Sequence, residues 1–116
     1  MKNNISLDLD HPSKKRTEYF LNAVQEDLVP IPFDWQNWSH ADDIVGGFKF
    51  TGKDQRVTIT VILADSYHDA NKIATTNSFP RLPNAKWTVN GDVLYLVESP
   101  DEDKVSEILS LFAGKE

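Results

Sequence analysis

Between Asn84 and Ser99 two β-type runs of largely hydrophobic positions flank Asn90-Gly91. That dipeptide adopts positive φ readily, as a type I′ hairpin turn requires. With Asn90 and Gly91 as the loop, Trp87 faces Leu94 and Ala85 faces Leu96, and with Val89 these residues form the side expected to meet the core. A slip of one residue would turn Trp87 into water. The other side carries Val93, Tyr95 and Val97 beside Lys86 and Thr88, a half-apolar strip expected to be partly exposed and to serve association.

Two further alternating runs predict a second hairpin. Phe48 and Phe50 share a side in Ile44 to Thr51, Gly52 to Gln55 makes a turn, and Val57, Ile59, Val61 and Leu63 point inward from Arg56 to Ala64. Ile62 breaks the polar side, which predicts cover on both faces at that end. Gly46-Gly47 marks a bulge or a close backbone approach. Near the start, Ile5, Leu7 and Leu9 alternate with Ser6, Asp8 and Asp10, a pattern that fits a short strand or an extended arm.

Helical spacing appears three times. From about 13 to 28, after Pro12, Phe20, Val24 and Leu28 recur along one face, with Lys14, Lys15 and Arg16 at the end of the dipole that disfavours cations. Ser66 followed by Asp69 resembles a capping sequence for a short helix reaching about Asn77. The last helix combines Ser99 as N-cap, Pro100 at the first position and Glu102 completing S-x-x-E, then Val105, Ile108, Leu109 and Phe112, with Gly114 at the close. Pro30 and Pro32 stop the first helix, and Pro80 and Pro83 keep 78–83 a loop.

These elements sum to one α+β domain over residues 1–116, with 1–4 frayed. The expected order is (β)αββαββα, two layers, with the helices on one face of a mainly antiparallel sheet. If residues 5–9 form a strand, the leading elements resemble the βαββαβ ferredoxin-like order with an added hairpin strand and C-terminal helix. Such a fold does not fix a function.

Composition narrows the chemistry mainly by exclusion. The chain has no cysteine, which removes disulfides, thiolate metal sites and a cysteine nucleophile, and fits a reducing, cytoplasmic setting. No apolar run has the length of a membrane span, and Met1 to Asp10 has no signal-peptide core. The net charge of −6 opposes binding to nucleic acid or anionic lipid. Residues from Asp65 onward hold nine acids against five bases, largely through the acidic start of the last helix. Gly46-Gly47-Phe48-Lys49-Phe50 is loosely similar to the aromatic strand of RNA-binding sheets, but Phe48 and Phe50 fall on the core side.

No P-loop, G-x-G-x-x-G or G-x-S-x-G is present, and no histidine or carboxylate spacing makes a metal site. No cofactor is implied. The segment 31–43 fits no period yet holds Phe33, Trp35 and Trp38, which predicts either a lid over an open core edge or a recognition loop. The leading expectation is a non-enzymatic binding or interaction module that holds a protein or small ligand through Phe33, Trp35 and Trp38, or through Tyr95. The rival is a small enzyme or ligand-sensing domain with a pocket between this loop and the sheet, lined by His40, Asp42, Asp43 and His68. A third reading is a homodimer joined through a sheet edge or the Tyr95 face.

Overall fold

A computed structural model describes residues 3–54, 56–77 and 85–114. Its helices are α1 (Lys14–Ala23), α2 (Tyr67–Thr76) and α3 (Glu102–Phe112); its strands are β1 (Leu28–Ile31), β2 (Ile44–Gly52), β3 (Thr58–Ala64), β4 (Ala85–Asn90) and β5 (Val93–Glu98). The strands form one sheet in the order β1-β2-β3-β5-β4, antiparallel between every pair of neighbours. The α+β class and the antiparallel sheet are as expected. Helix α2 carries the chain from β3 to the outer strand β4, and β5 returns between them, a split βαβ arrangement.

The expected single helical layer is corrected to two. Helices α1 and α3 cover one face, where Phe20, Leu21, Phe50, Ile59, Val61, Val93, Tyr95, Val97, Val105, Ile108 and Phe112 form the larger core. Helix α2 covers part of the opposite face over Ile62, Ala64 and Leu94. The reason lies in β5: its run V-L-Y-L-V is buried at every position, as a central strand between two covered faces must be.

The assignment of hairpin faces therefore reverses. Val93, Tyr95 and Val97 point into the main core under α1 and α3, whereas Trp87 lies on the α2 face and is 38% exposed. The indole and the apolar stripe of α3 do not share an interior. Register shifts too: Trp87 pairs with Leu96, not Leu94, because the loop residues are Gly91 and Asp92. Only Gly91 takes positive φ, at 62°, which places the turn in the II′ family. Asn90 stays in the strand and its Nδ2 donates to the Phe112 carbonyl at 2.9 Å, closing the end of α3. Asn84 and the loop 78–83 lie outside the described residues.

The period-two start is an extended arm, so the conditional ferredoxin-like order does not form. Side chains of α1, not a neighbouring strand, satisfy its backbone: Ile5 N–H donates to Asn22 Oδ1 at 2.5 Å, Asn22 Nδ2 to the Ile5 carbonyl at 3.1 Å, and Leu7 N–H to Glu18 Oε2 at 2.7 Å. Leu7 is buried in the main core. Asn3, expected to fray, is tied down. Its Nδ2 donates to the carbonyls of Val24 and Glu26, and its Oδ1 accepts from Leu28 N–H. Those bonds take over carbonyls that a longer helix would have used, and α1 ends at Ala23 rather than near residue 28.

Local rules hold elsewhere with small shifts. Ser66 caps α2 by accepting from Asp69 N–H, as read. The cap of α3 is Asp101, whose carboxylate accepts from Asp103 and Lys104 N–H, while Ser99 accepts from Asp101 N–H one turn earlier. The basic start of α1 is compensated: Lys14 pairs with Glu18 at 3.0 Å, and Arg16 donates to the Asn90 carbonyl across the hairpin turn.

Candidate functional site

The face of the sheet shared by α2 and the aromatic loop is graded along the strands. Reading across from β2 to β4, one row is Gly47, Ile62, Leu94 and Val89; the next is Lys49, Thr60, Leu96 and Trp87; the last is Thr51, Thr58, Glu98 and Ala85. The first row is apolar, and α2 and the aromatic loop cover it between them. The other two carry polar side chains and lie beyond the C-terminal end of α2.

Over those rows the segment 31–43 folds back. Phe33 meets Trp38 edge to face, with centroids 5.6 Å apart, and Trp35 at 5.9 Å. Gly47 makes this approach feasible. A Cβ there would lie 2.8 Å from Phe33 Cε2 and 2.9 Å from Trp35 Cε3, so the second glycine of the pair serves close contact. The bulge between Ile44 and Gly46 belongs to the same stretch. Asn77, at the C-cap of α2, holds the loop: its Oδ1 accepts from Ser39 N–H at 2.8 Å, and its Nδ2 donates to the Ser39 and Ile73 carbonyls. Asp34 Oδ1 accepts from Gln36 N–H, fixing the preceding turn.

Between loop and sheet lies a cavity of about 630 Å³, a size that suits a small molecule. Lys49, Thr60, Leu96 and Glu98 make its floor, and Phe33, Trp38 and the end of α2 wall it. Glu98 is 9% exposed, and among the described residues neither a hydrogen bond nor an ion pair reaches its carboxylate. Burial pushes its pKa up, and the positive charge of Lys49 opposes that shift only in part. The Lys49 ammonium lies 5.7 Å from the centre of the Phe33 ring. Comparison with family models, curated proteins and solved structures finds no match.

Of the residues singled out in the sequence, Phe33 and Trp38 line this cavity, and Trp35 rests on Gly47 beside it. The aromatic loop is thus both a cover for the sheet and the wall of a cavity. Tyr95 is a correction. It is fully buried, stacked on Phe112 at 4.6 Å with Phe20 edge-on at 6.2 Å, and its hydroxyl lies 3.4 Å from Thr17 Oγ1. No partner can reach it, so association through the Tyr95 face is withdrawn.

The polar candidates stand elsewhere. His40 is exposed with φ of 63°, its Nδ1 3.8 Å from Asp43 Oδ2; Asp43 pairs with Lys72 at 3.1 Å; Asp42 and His68 are exposed. They stand at the surface, His68 on α2 itself, and do not line the cavity. Among the described residues no group of three or more histidines or carboxylates could hold a metal ion. The pocket lies where the rival reading put it, but with other residues. Glu98, Lys49 and Thr60 were missed because each reads singly as the polar partner in an alternating strand. The register that stacks them in neighbouring rows was the missing signal.

The buried histidine is His11, which has a structural role. Its Nε2 lies 2.6 Å from the Ala64 carbonyl and its Nδ1 accepts from Ser13 N–H at 3.0 Å. Ser13 Oγ in turn donates to Asp92. Both ring nitrogens are used, which joins the end of the arm to the β4–β5 turn.

Proposed function

We propose that this protein is a small-ligand binding module whose ligand lies on the Lys49, Thr60, Leu96 and Glu98 floor under Phe33 and Trp38. The observation that supports the reading is a cavity of ligand size with an aromatic wall, a polar floor and a carboxylate, Glu98, that opens into it with no hydrogen bond or ion pair among the described residues. Among the described residues the lining holds two carboxylates, Asp34 and Glu98, and one ammonium, Lys49.

The loop's anchoring by Asn77 supports the same reading, since a wall already held in place loses little freedom when a ligand arrives. The test is a fragment screen by two-dimensional amide NMR. Polar aromatic fragments are expected to shift the amides of Lys49, Thr60, Leu96 and Glu98 together and to change the emission of Trp38 in a Trp87→Phe background. If no fragment perturbs the floor amides as a group, the reading fails.

A further inference from the structure

The charges around the cavity narrow the ligand class, an inference that rests on the binding reading above. Among the described residues its lining holds two carboxylates, Asp34 and Glu98, against one cation, Lys49. Asp34 already accepts the Gln36 amide, whereas Glu98 faces the cavity without a partner among the described residues. Lys49 does not close on Glu98; its ammonium is beside the Phe33 ring. An anion entering here meets a second negative charge, and a neutral molecule leaves that charge with only the partial compensation that Lys49 provides. A cation relieves it, and the ring faces of Phe33 and Trp38 attract positive charge as well.

We propose that the pocket binds a small organic ammonium, with Glu98 as its counter-ion and Phe33 and Trp38 flanking it. Thr60, whose side chain belongs to the same floor, supplies a hydroxyl oxygen as a second acceptor for the ammonium protons. Lys49 is then a competitor, a resident cation close to the position the ligand's charge takes. The raised pKa of Glu98 agrees with this, because a bound cation would favour the ionised carboxylate that burial disfavours.

The experiment is a calorimetric and NMR titration with 2-phenylethylamine, its neutral analogue 2-phenylethanol and the anion phenylacetate. The amine is expected to bind at least about tenfold more tightly than either of the other two. Glu98→Gln, close in shape to the native side chain, is expected to remove that preference, and Glu98→Asp to retain part of it. Lys49→Met is expected to strengthen amine binding by roughly threefold or more. Thermal melts and amide spectra of each variant establish that it is folded.

Equal or tighter binding of the alcohol or the anion at the floor amides would overturn the ammonium assignment while leaving the pocket reading in place. Amine binding that survives Glu98→Gln unchanged would do the same. If neither these compounds nor any other fragment perturbs the floor amides up to about 10 mM, both readings fall together.

Discussion

The two faces of the central strands β3 and β5 differ in what they bury. Toward α1 and α3, Ile59, Val61, Leu63, Val93, Tyr95 and Val97 meet a continuous apolar layer, within which the Tyr95 hydroxyl donates to the buried Thr17 Oγ1. Toward α2 and the aromatic loop, Ile62 and Leu94 give way to Thr60 and Leu96, then to Thr58 and Glu98. One face is organised for packing. The other stops packing half-way along the strands and leaves a walled cavity with a charged floor. A small domain can thus place most of its packing on one side of a sheet and leave the other side partly open.

The sharpest test of that division is to open the packed face. Phe112→Ala or Tyr95→Ala removes a fully buried ring from the stack. Each is expected to destabilise by about 3–5 kcal/mol in urea titrations, the usual range for a large core truncation. A loss below about 1 kcal/mol would mean that the main core lies elsewhere.

Next in size is Gly47→Val, which drives a side chain into Phe33 and Trp35. A destabilisation of roughly 1–3 kcal/mol is expected, with red-shifted indole emission in the Trp87→Phe background as the loop lifts off. Unchanged emission would show that the loop does not rest on β2.

Glu98→Gln should act in the opposite direction. Because burial raises its folded pKa above the ordinary 4.5, the native state holds this proton to higher pH than the unfolded chain does. Stability therefore falls as pH rises from 4.5 through that higher value. At pH 7 the amide is expected to be more stable than wild type by on the order of 1 kcal/mol, the advantage shrinking on acidification. A less stable Glu98→Gln at neutral pH would make the carboxylate a structural group and remove it from the proposed site.

Glu18, on the packed side, titrates with the other sign. The Leu7 N–H, foremost, and Lys14 hold its carboxyl below the ordinary 4.5, so its contribution is complete above that value and lost as pH falls through the lower folded one. Hydrogen exchange should show the Leu7 amide losing protection in acid before the β3 amides do. Simultaneous loss would mean the arm does not open on its own. The smallest effect belongs to Trp87→Phe, expected to change stability by less than about 0.5 kcal/mol because the indole is 38% exposed.

Elements with local signals were legible in the chain. The stripe of α3, the Ser66 cap, the alternation of β3 and the close approach at Gly46-Gly47 all read correctly, since neighbours in sequence determine them. What was missed depends on partners far away. Asn3 ends α1 from about twenty residues upstream, and the arm takes its hydrogen bonds from Asn22 and Glu18, a pairing that no periodicity reveals. The faces of the hairpin were exchanged because both are apolar. The large indole looked like the core residue, but burial of β5 on both sides left the outer position to Trp87 on the edge strand. The aromatic residues of the site were visible from composition alone. Its charged floor was not, because Lys49 and Glu98 become neighbours only through β3.

Pro30 stands in β1, the outermost strand at one margin of the sheet. Its ring nitrogen carries no hydrogen, so a foreign strand arriving from another molecule finds a missing rung and cannot continue the ladder in register. The Leu28 N–H of the same strand is taken up by Asn3 Oδ1, so a missing donor and an occupied one together blunt this margin of the sheet.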